Sequence, residues 1–226
     1  MRLVYSIVAS LALCPFVYAA PVDSTCFIKM DLPDDNFAAG TGTVVSCEGD
    51  YSLIMTCSHI VENGEGKITI WINEKTYDAT YLTGAKVEIV QLPLGGEDIK
   101  IDGPDVAFLI VKAHLPVSNL CKHNPKVGDK VRQWGFAGGD TKNAPYYKEG
   151  KVLSIDDLFS TADARPGDSG SGLFNDKDEV VGLVNSRSRN PNSVGGFAVP
   201  IEEIHKFIRG SDKFGNFKKF KERSKE

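Results

Sequence analysis

Amide hydrolysis by a serine needs a hydroxyl held on a tight turn, with backbone N–H groups converging where negative charge develops on the carbonyl oxygen. The stretch Arg165-Pro-Gly-Asp-Ser-Gly-Ser-Gly172 meets that description. Gly167 permits backbone conformations denied to other residues, and Gly170 keeps the approach to the hydroxyl open. Ser169 is therefore the candidate nucleophile, with its own N–H and that of Gly167 as the oxyanion donors. The plainer reading, a glycine-rich hairpin, accounts poorly for so many turn residues directly before the apolar stretch 180–184.

A serine is inert at neutral pH without a base. Of the four histidines, His59 follows the apolar run 53–55 and leads into Ile60-Val61, so a buried strand would hold it while the following turn exposes it. His114 and His123 lie in a proline-containing connection and His205 on a helix, where an exposed or lightly packed ring is the default. A base also needs an acid to fix its tautomer and stabilise the imidazolium. Asp105 follows Gly103-Pro104 and precedes the apolar run 106–111, which predicts a shielded carboxylate at a strand entrance. Taken alone, Asp105 reads equally well as a turn residue.

The elements that must carry these residues are short runs rich in Val, Ile, Thr and aromatics, separated by Gly, Asp, Asn and Pro: 41–47, 52–57, 67–72, 87–91, 106–111, 130–136, 151–155, 179–184 and 196–199. Many short strands without crossover helices mean an all-β sandwich or barrel. Residues 116–127 read as a strap between an N-terminal half, 26–115, and a C-terminal half, 128–209. The one helical pattern runs from Ile201 to Arg209, with Ile201, Ile204, Phe207 and Ile208 on one face and Gly210 as its stop, and it would pack on the last barrel. Residues 210–226 form a basic tail in which lysines alternate with Phe214, Phe217 and Phe220. Its readings are a solvated end or contact with an acidic surface.

Arg2, the apolar run 3–17 and the small Ala19 have the layout of a secretory signal peptide spanning 1–19. The chain is then expected to be secreted, extracellular or periplasmic. An uncleaved anchor is the alternative, opposed by Ser6, Ser10 and Pro15. No second apolar span follows, and a formal charge of −4 gives no reason to expect nucleic acid as partner. Cys26, Cys47, Cys57 and Cys121 would remain after the leader, in an oxidising compartment where they could pair in three ways. A hairpin turning at Gly49-Asp50 would set Cys47 opposite Ser52 with Cys57 on the other side of the sheet, which disfavours a Cys47–Cys57 bridge. Cys57-Ser-His59 and Cys121-Lys-His123 raise a zinc-stabilised domain as a further reading, although the one-residue gap is not the usual ligand spacing.

Thr56-Cys-Ser-His59, Asp105-Val-Ala-Phe-Leu109 and Gly167-Asp-Ser-Gly170, in that order, resemble the three signatures of trypsin-like serine proteases, and the likeness spans about residues 26–209. The resemblance implies two antiparallel six-stranded barrels of the chymotrypsin type with a short C-terminal helix. It also implies a triad of His59, Asp105 and Ser169 at their seam, acting on a protein or peptide substrate without metal or organic cofactor. It places Asp163 at the floor of the S1 pocket and Asn185, Ser186, Arg187 and Gly196 on its walls. Asp163 there would favour basic P1 residues, whereas Arg187 and Arg165 would favour acidic ones. A Cys26–Cys121 bridge between the N-terminus and the strap is a further implication. The start after the leader, Ala20-Pro-Val-Asp23, departs from the Ile-Val-Gly-Gly type of terminus whose ammonium pairs beside the nucleophile in many members, so Asp168 needs another partner and no zymogen cut is implied. A homologue that has lost catalysis and serves as a binding module is the competing reading.

Overall fold

The computed structural model describes residues 20–61, 64–91, 97–139, 144–188 and 194–213, together with Phe217 and Phe220. The leader 1–19 and most of the basic tail lie outside the described residues.

Six strands, β1 (Thr25–Asp31), β2 (Phe37–Glu48), β3 (Tyr51–Thr56), β4 (Ile68–Ile72), β5 (Lys75–Gln91) and β6 (Glu97–Val111), close into an antiparallel barrel in the order β1-β2-β3-β6-β5-β4. Strand alternation fills it: Ile68, Ile70 and Ile72 of β4 are buried while Thr69 and Trp71 between them are half-buried. Gly49 at φ 57° opens the two-residue turn between β2 and β3, and Cys47 pairs with Ser52 as the turn chemistry requires. A single helical turn, α1 (Ser58–Val61), follows β3.

The second half, β7 (Lys130–Gly135), β8 (Tyr146–Lys151), β9 (Phe159–Ser160), β10 (Gly172–Phe174), β11 (Val180–Arg187) and β12 (Gly196–Pro200), is a six-stranded sheet in the order β8-β7-β10-β11-β12-β9. Its edges meet at one bridge, Val152 to Ser160, so it curls towards a barrel without a continuous closing ladder. Between the halves the strap bonds to both: the Ser118 N–H donates to the Val44 carbonyl at 2.9 Å and Leu120 bridges Val180. The whole is the expected all-β architecture of two six-stranded antiparallel sheets and a C-terminal helix.

Three local expectations need correction. Asp105 does not stand at a strand entrance, because β6 begins at Glu97 and Asp105 lies inside it. Residues 151–155 are not a strand beyond Lys151, since Gly150 lets β8 pass close to Thr161 and Ala162 and the chain then turns at Ile155 to Leu158. The helix α2 (Ile201–Lys213) runs through Gly210. The glycine costs about 1 kcal/mol in a helix interior. Burial of Ser211 just beyond it, and of Phe217 and Phe220 further on, offsets that cost.

Candidate active site

His59 and Asp105 are brought together by a break in the β5–β6 ladder. Gly84 pairs with Ala107 and Lys86 with Asp102, so the four residues Gly103 to Val106 of β6 face Ala85 alone. Such a bulge leaves backbone groups unpaired and re-aims a side chain. Ser58 fills the gap: it accepts the Ala85 N–H at 2.9 Å and donates to the Val106 carbonyl at 2.7 Å. The turn α1 is thereby stitched onto the bulge. The Asp105 carboxylate consequently holds His59 twice, by Nδ1 at 2.6 Å and by the backbone N–H at 3.2 Å. The carboxylate is shielded at 8% exposure, while the ring keeps 22%. With Nδ1–H directed at Asp105, Nε2 carries the free lone pair.

The turn that carries Ser169 follows from its sequence. Pro166 and Gly167, the latter at φ 95°, occupy the two central positions of a type II turn closed by the Asp168 N–H on the Arg165 carbonyl at 2.9 Å. The Pro166 carbonyl accepts the Gly138 N–H at 2.8 Å. A trans peptide points its N–H opposite to its carbonyl, so the Gly167 N–H faces away from Gly138. Neither it nor the Ser169 N–H has a partner among the described residues. Both are free to receive an oxyanion.

Thr41 of β2 joins this turn to the first barrel. Its N–H donates to the Ser169 carbonyl at 2.8 Å and its hydroxyl to the Gly167 carbonyl at 2.7 Å, while its carbonyl accepts the Thr56 hydroxyl at 2.8 Å. The Val184 carbonyl completes the link, accepting both the Gly170 N–H at 2.7 Å and the Cys57 thiol at 3.3 Å. The residue after Ser169 and the residue two before His59 thus share one acceptor. The Ser169 hydroxyl donates to the Asn185 carbonyl at 3.3 Å.

Asp168 has no exposure, and burial raises its pKa against the opposing pull of the Lys148 ammonium and the Arg165 N–H. Lys148, which no sequence motif singles out, reaches it from β8 and bonds Oδ2. The only sequence signal was the need of Asp168 for a cation.

Beside Ser169 lies a cavity of about 160 Å³ walled by Ala164, Arg165, Pro166, Val184, Ser186 and Arg187. Ser186 and Arg187, which the resemblance assigns to the S1 walls, line this cavity. Asp163 is not among the walls: its carboxylate is partly exposed and takes the Arg165 Nε at 2.9 Å. Gly196 backs Ala164, since a Cβ on Gly196 would come within 2.6 Å of the alanine methyl. Asn185 borders a larger cleft of about 630 Å³ that runs from Asp105 past Ser186 to Pro200. The Arg165-Pro166 pair also borders a third cavity, about 520 Å³, together with Gly138, Tyr146, Tyr147 and Lys148.

The four described cysteines are unbridged. Cys26 lies in the larger core cluster and Cys121 against the smaller, and the Cys26–Cys121 bridge is not formed. Burial pushes the Cys26 thiol up to about 12 and raises that of Cys57, where Asp105 adds to the effect. Cys57, His59 and Asp105 cluster within 4.8 Å, but Asp105 already occupies the imidazole Nδ1. The two Cys-x-His pairs do not converge: His123 is exposed beside Glu202, away from that cluster.

The bulge, the type II turn and the two sheets define a peptidase-like site, and comparison with known proteins agrees. The family description Trypsin-like peptidase domain matches residues 40–183, and the chain belongs to that family. It is 25% identical over 190 residues to the HtrA-like serine protease of Staphylococcus aureus, covering 79% of this chain, and 26% identical over 207 residues to that of Staphylococcus haemolyticus, covering 80%. It spans 24% and 29% of those proteins' lengths. Among solved structures, the Rv3671c protease of M. tuberculosis in its active form superposes with a TM-score of 0.64 at 23% identity, covering 85% of this chain and 82% of that one. The serine endoprotease of Yersinia pestis gives 0.63 at 19%, covering 84% and 62%. These likenesses concern the fold.

Proposed function

We propose that this chain is a serine endopeptidase in which Ser169 attacks the scissile carbonyl, His59 takes and returns the proton, and Asp105 orients the ring. The observation that carries the reading is the conjunction of an Asp105-bound imidazole with a type II turn that leaves the Gly167 and Ser169 N–H groups unpaired. The Ser169 hydroxyl rests on the Asn185 carbonyl and makes no hydrogen bond to His59 among the described residues, so in the attack it must swing to Nε2 as substrate binds. Its oxygen bonds to the carbonyl carbon, the developing oxyanion is received by the two N–H groups, and the imidazolium protonates the leaving amine. Water, activated by the same ring, then hydrolyses the acyl-enzyme. An open cavity beside Arg165 and Pro166, and a separate cleft running from Asp105 to Pro200, suit the interior of a peptide chain rather than its end.

For specificity, the 160 Å³ cavity favours a small or acidic P1 side chain over a basic one. It has two arginines on its walls, and the carboxylate of Asp163 lies outside them. The secretory reading rests on the leader alone: Arg2, the apolar run and Ala19.

The orientation of the Ser169 hydroxyl towards Asn185 is the one observation on the side of a non-catalytic binding module. A fluorophosphonate probe decides between the two. Labelling of the wild type but not of Ser169→Ala is the expected result, and a folded wild type that never labels would remove the enzyme reading. Profiling a peptide library then tests the pocket, with cleavage chiefly after Lys or Arg refuting the P1 assignment.

A further inference from the structure

We infer that the Lys148 ammonium is the built-in cation that holds the oxyanion turn in its receiving conformation, acting as a positioning residue through Asp168. This deepens the peptidase reading and rests on it.

Asp168 sits between the two residues whose N–H groups face the oxyanion, so wherever its side chain is fixed, both donors are fixed with it. Its Oδ2 accepts from the Lys148 ammonium and from the Arg165 N–H at 2.7 Å. The Asp168 N–H closes the turn on the Arg165 carbonyl at 2.9 Å. Side chain and backbone of Asp168 thus grip the first residue of the turn together. Room for the other oxygen, Oδ1, exists because residue 135 is glycine: a Cβ there would lie 2.4 Å from it. Oδ1 itself has no partner among the described residues.

A buried carboxylate with one unpartnered oxygen stays in place only while a countercharge stays with it. Lys148 supplies that charge from within the sheet. It lies on β8 opposite Gln133 of β7, and its side chain is 12% exposed, so the aliphatic stem runs inward and delivers the head group to Asp168. Without the ammonium, the carboxylate must take up a proton or turn out towards water. Turning out drags the Gly167–Ser169 backbone with it. Because the cation is an ordinary lysine of a strand, the turn is complete once the sheet has formed, and no chain cleavage is needed to provide a terminal ammonium.

The test uses Lys148→Met, which keeps the stem and removes the charge, and Lys148→Arg, which keeps the charge. Both are made in the full chain, with kcat and KM on a peptide amide and the affinity of a peptide boronic acid as readouts. Lys148→Met should lower kcat about 100-fold, the scale of losing one oxyanion donor, weaken the boronic acid in parallel and leave KM within about threefold. Lys148→Arg should recover most of the loss. A kcat for Lys148→Met within about threefold of wild type overturns the inference. So does a matching loss in KM without recovery in Lys148→Arg, which would mean general loosening of the sheet. If Lys148→Met does not fold, it is combined with Asp168→Asn, which removes the need for a cation. The pair should then be no slower than Asp168→Asn alone, and a further drop of about tenfold would show that Lys148 does not act through Asp168. A wild type without Ser169-dependent hydrolysis removes the peptidase reading, and the inference with it. An active wild type with an unaffected Lys148→Met removes the inference alone.

Discussion

Asp105 grips one residue at two points, and the two grips do different work. The bond to the His59 N–H sets where α1 lies, and the bond to Nδ1 sets which ring nitrogen is free. An amide in its place keeps the shape but offers a donor to Nδ1, which forces the proton onto Nε2 and leaves no base for Ser169. Asp105→Asn is therefore expected to lower kcat by about 10⁴ at pH 7 while the melting temperature moves little, because the substitution is nearly isosteric. Steady-state kinetics on a peptide amide beside a thermal melt checks both halves. The thiols are a second residue-scale case. Cys26 and Cys57 are buried with raised pKa, whereas Cys47 is part-exposed with its sulfur 3.1 Å from His114 Nδ1. Since the thiolate is the reactive form, native protein treated with iodoacetamide should be alkylated at Cys47 well before Cys26 or Cys57. Peptide mass spectrometry gives the order, and early modification of Cys57 would contradict its burial.

At the scale of elements, the site depends on backbone shapes that particular glycines permit. Gly170 has φ 87°, and a Cβ there would lie 2.0 Å from the Thr41 carbonyl oxygen and 2.4 Å from the Thr56 hydroxyl. Gly103 has φ 99° in the bulge, with nothing within 4 Å of its would-be Cβ. Left-handed backbone alone costs an ordinary residue about 1–3 kcal/mol. Gly103→Ala should stay within that range in urea unfolding. Gly170→Ala adds a clash of the second sheet with the first barrel and should exceed it or fail to fold. The same contrast explains what could be read beforehand. His59, Asp105 and Ser169 lie in local patterns of a few residues, and the Pro166-Gly167 turn is written in its own chemistry. Thr41 and Lys148 act through register: Thr41 is placed by the pairing of β2 with its neighbours, and Lys148 by the crossing of β8 behind the turn. Neither register is local in sequence. The bulge was hidden likewise, because four residues facing one is a property of two strands together. The pairing of Asp163 with Arg165 was likewise out of reach, because spacing alone does not say which neighbouring charge a carboxylate meets.

At the scale of the whole molecule, two halves must be held at fixed distance for a hydroxyl on one to meet an imidazole on the other. Thr41 and the Val184 carbonyl do this at the site, and α2 does it at a distance. The helix starts directly after β12 of the second sheet, yet Phe207 stacks on Phe108 of β6 at 6.3 Å and Phe217 meets the same ring edge-on at 5.2 Å. Phe108 is fully buried and belongs to the core of the first barrel. One ring of the first barrel is thus clasped by two from the C-terminal segment, and Phe220 joins the same cluster. Ring pairs of this kind contribute about 0.5–1.5 kcal/mol beyond the area they bury, and removing a buried phenylalanine costs about 3–5 kcal/mol in all. Phe217→Ala should therefore lower unfolding free energy by about 3 kcal/mol or more, although the residue stands in a stretch whose lysines read as a solvated tail. If α2 also fixes the seam, the same variant assayed well below its melting temperature should lose kcat while its P1 preference stays unchanged, because the small cavity is walled by the second half alone. Urea unfolding and library profiling on one preparation check this. A stability loss below about 1 kcal/mol would mean that the segment merely rests on the barrel.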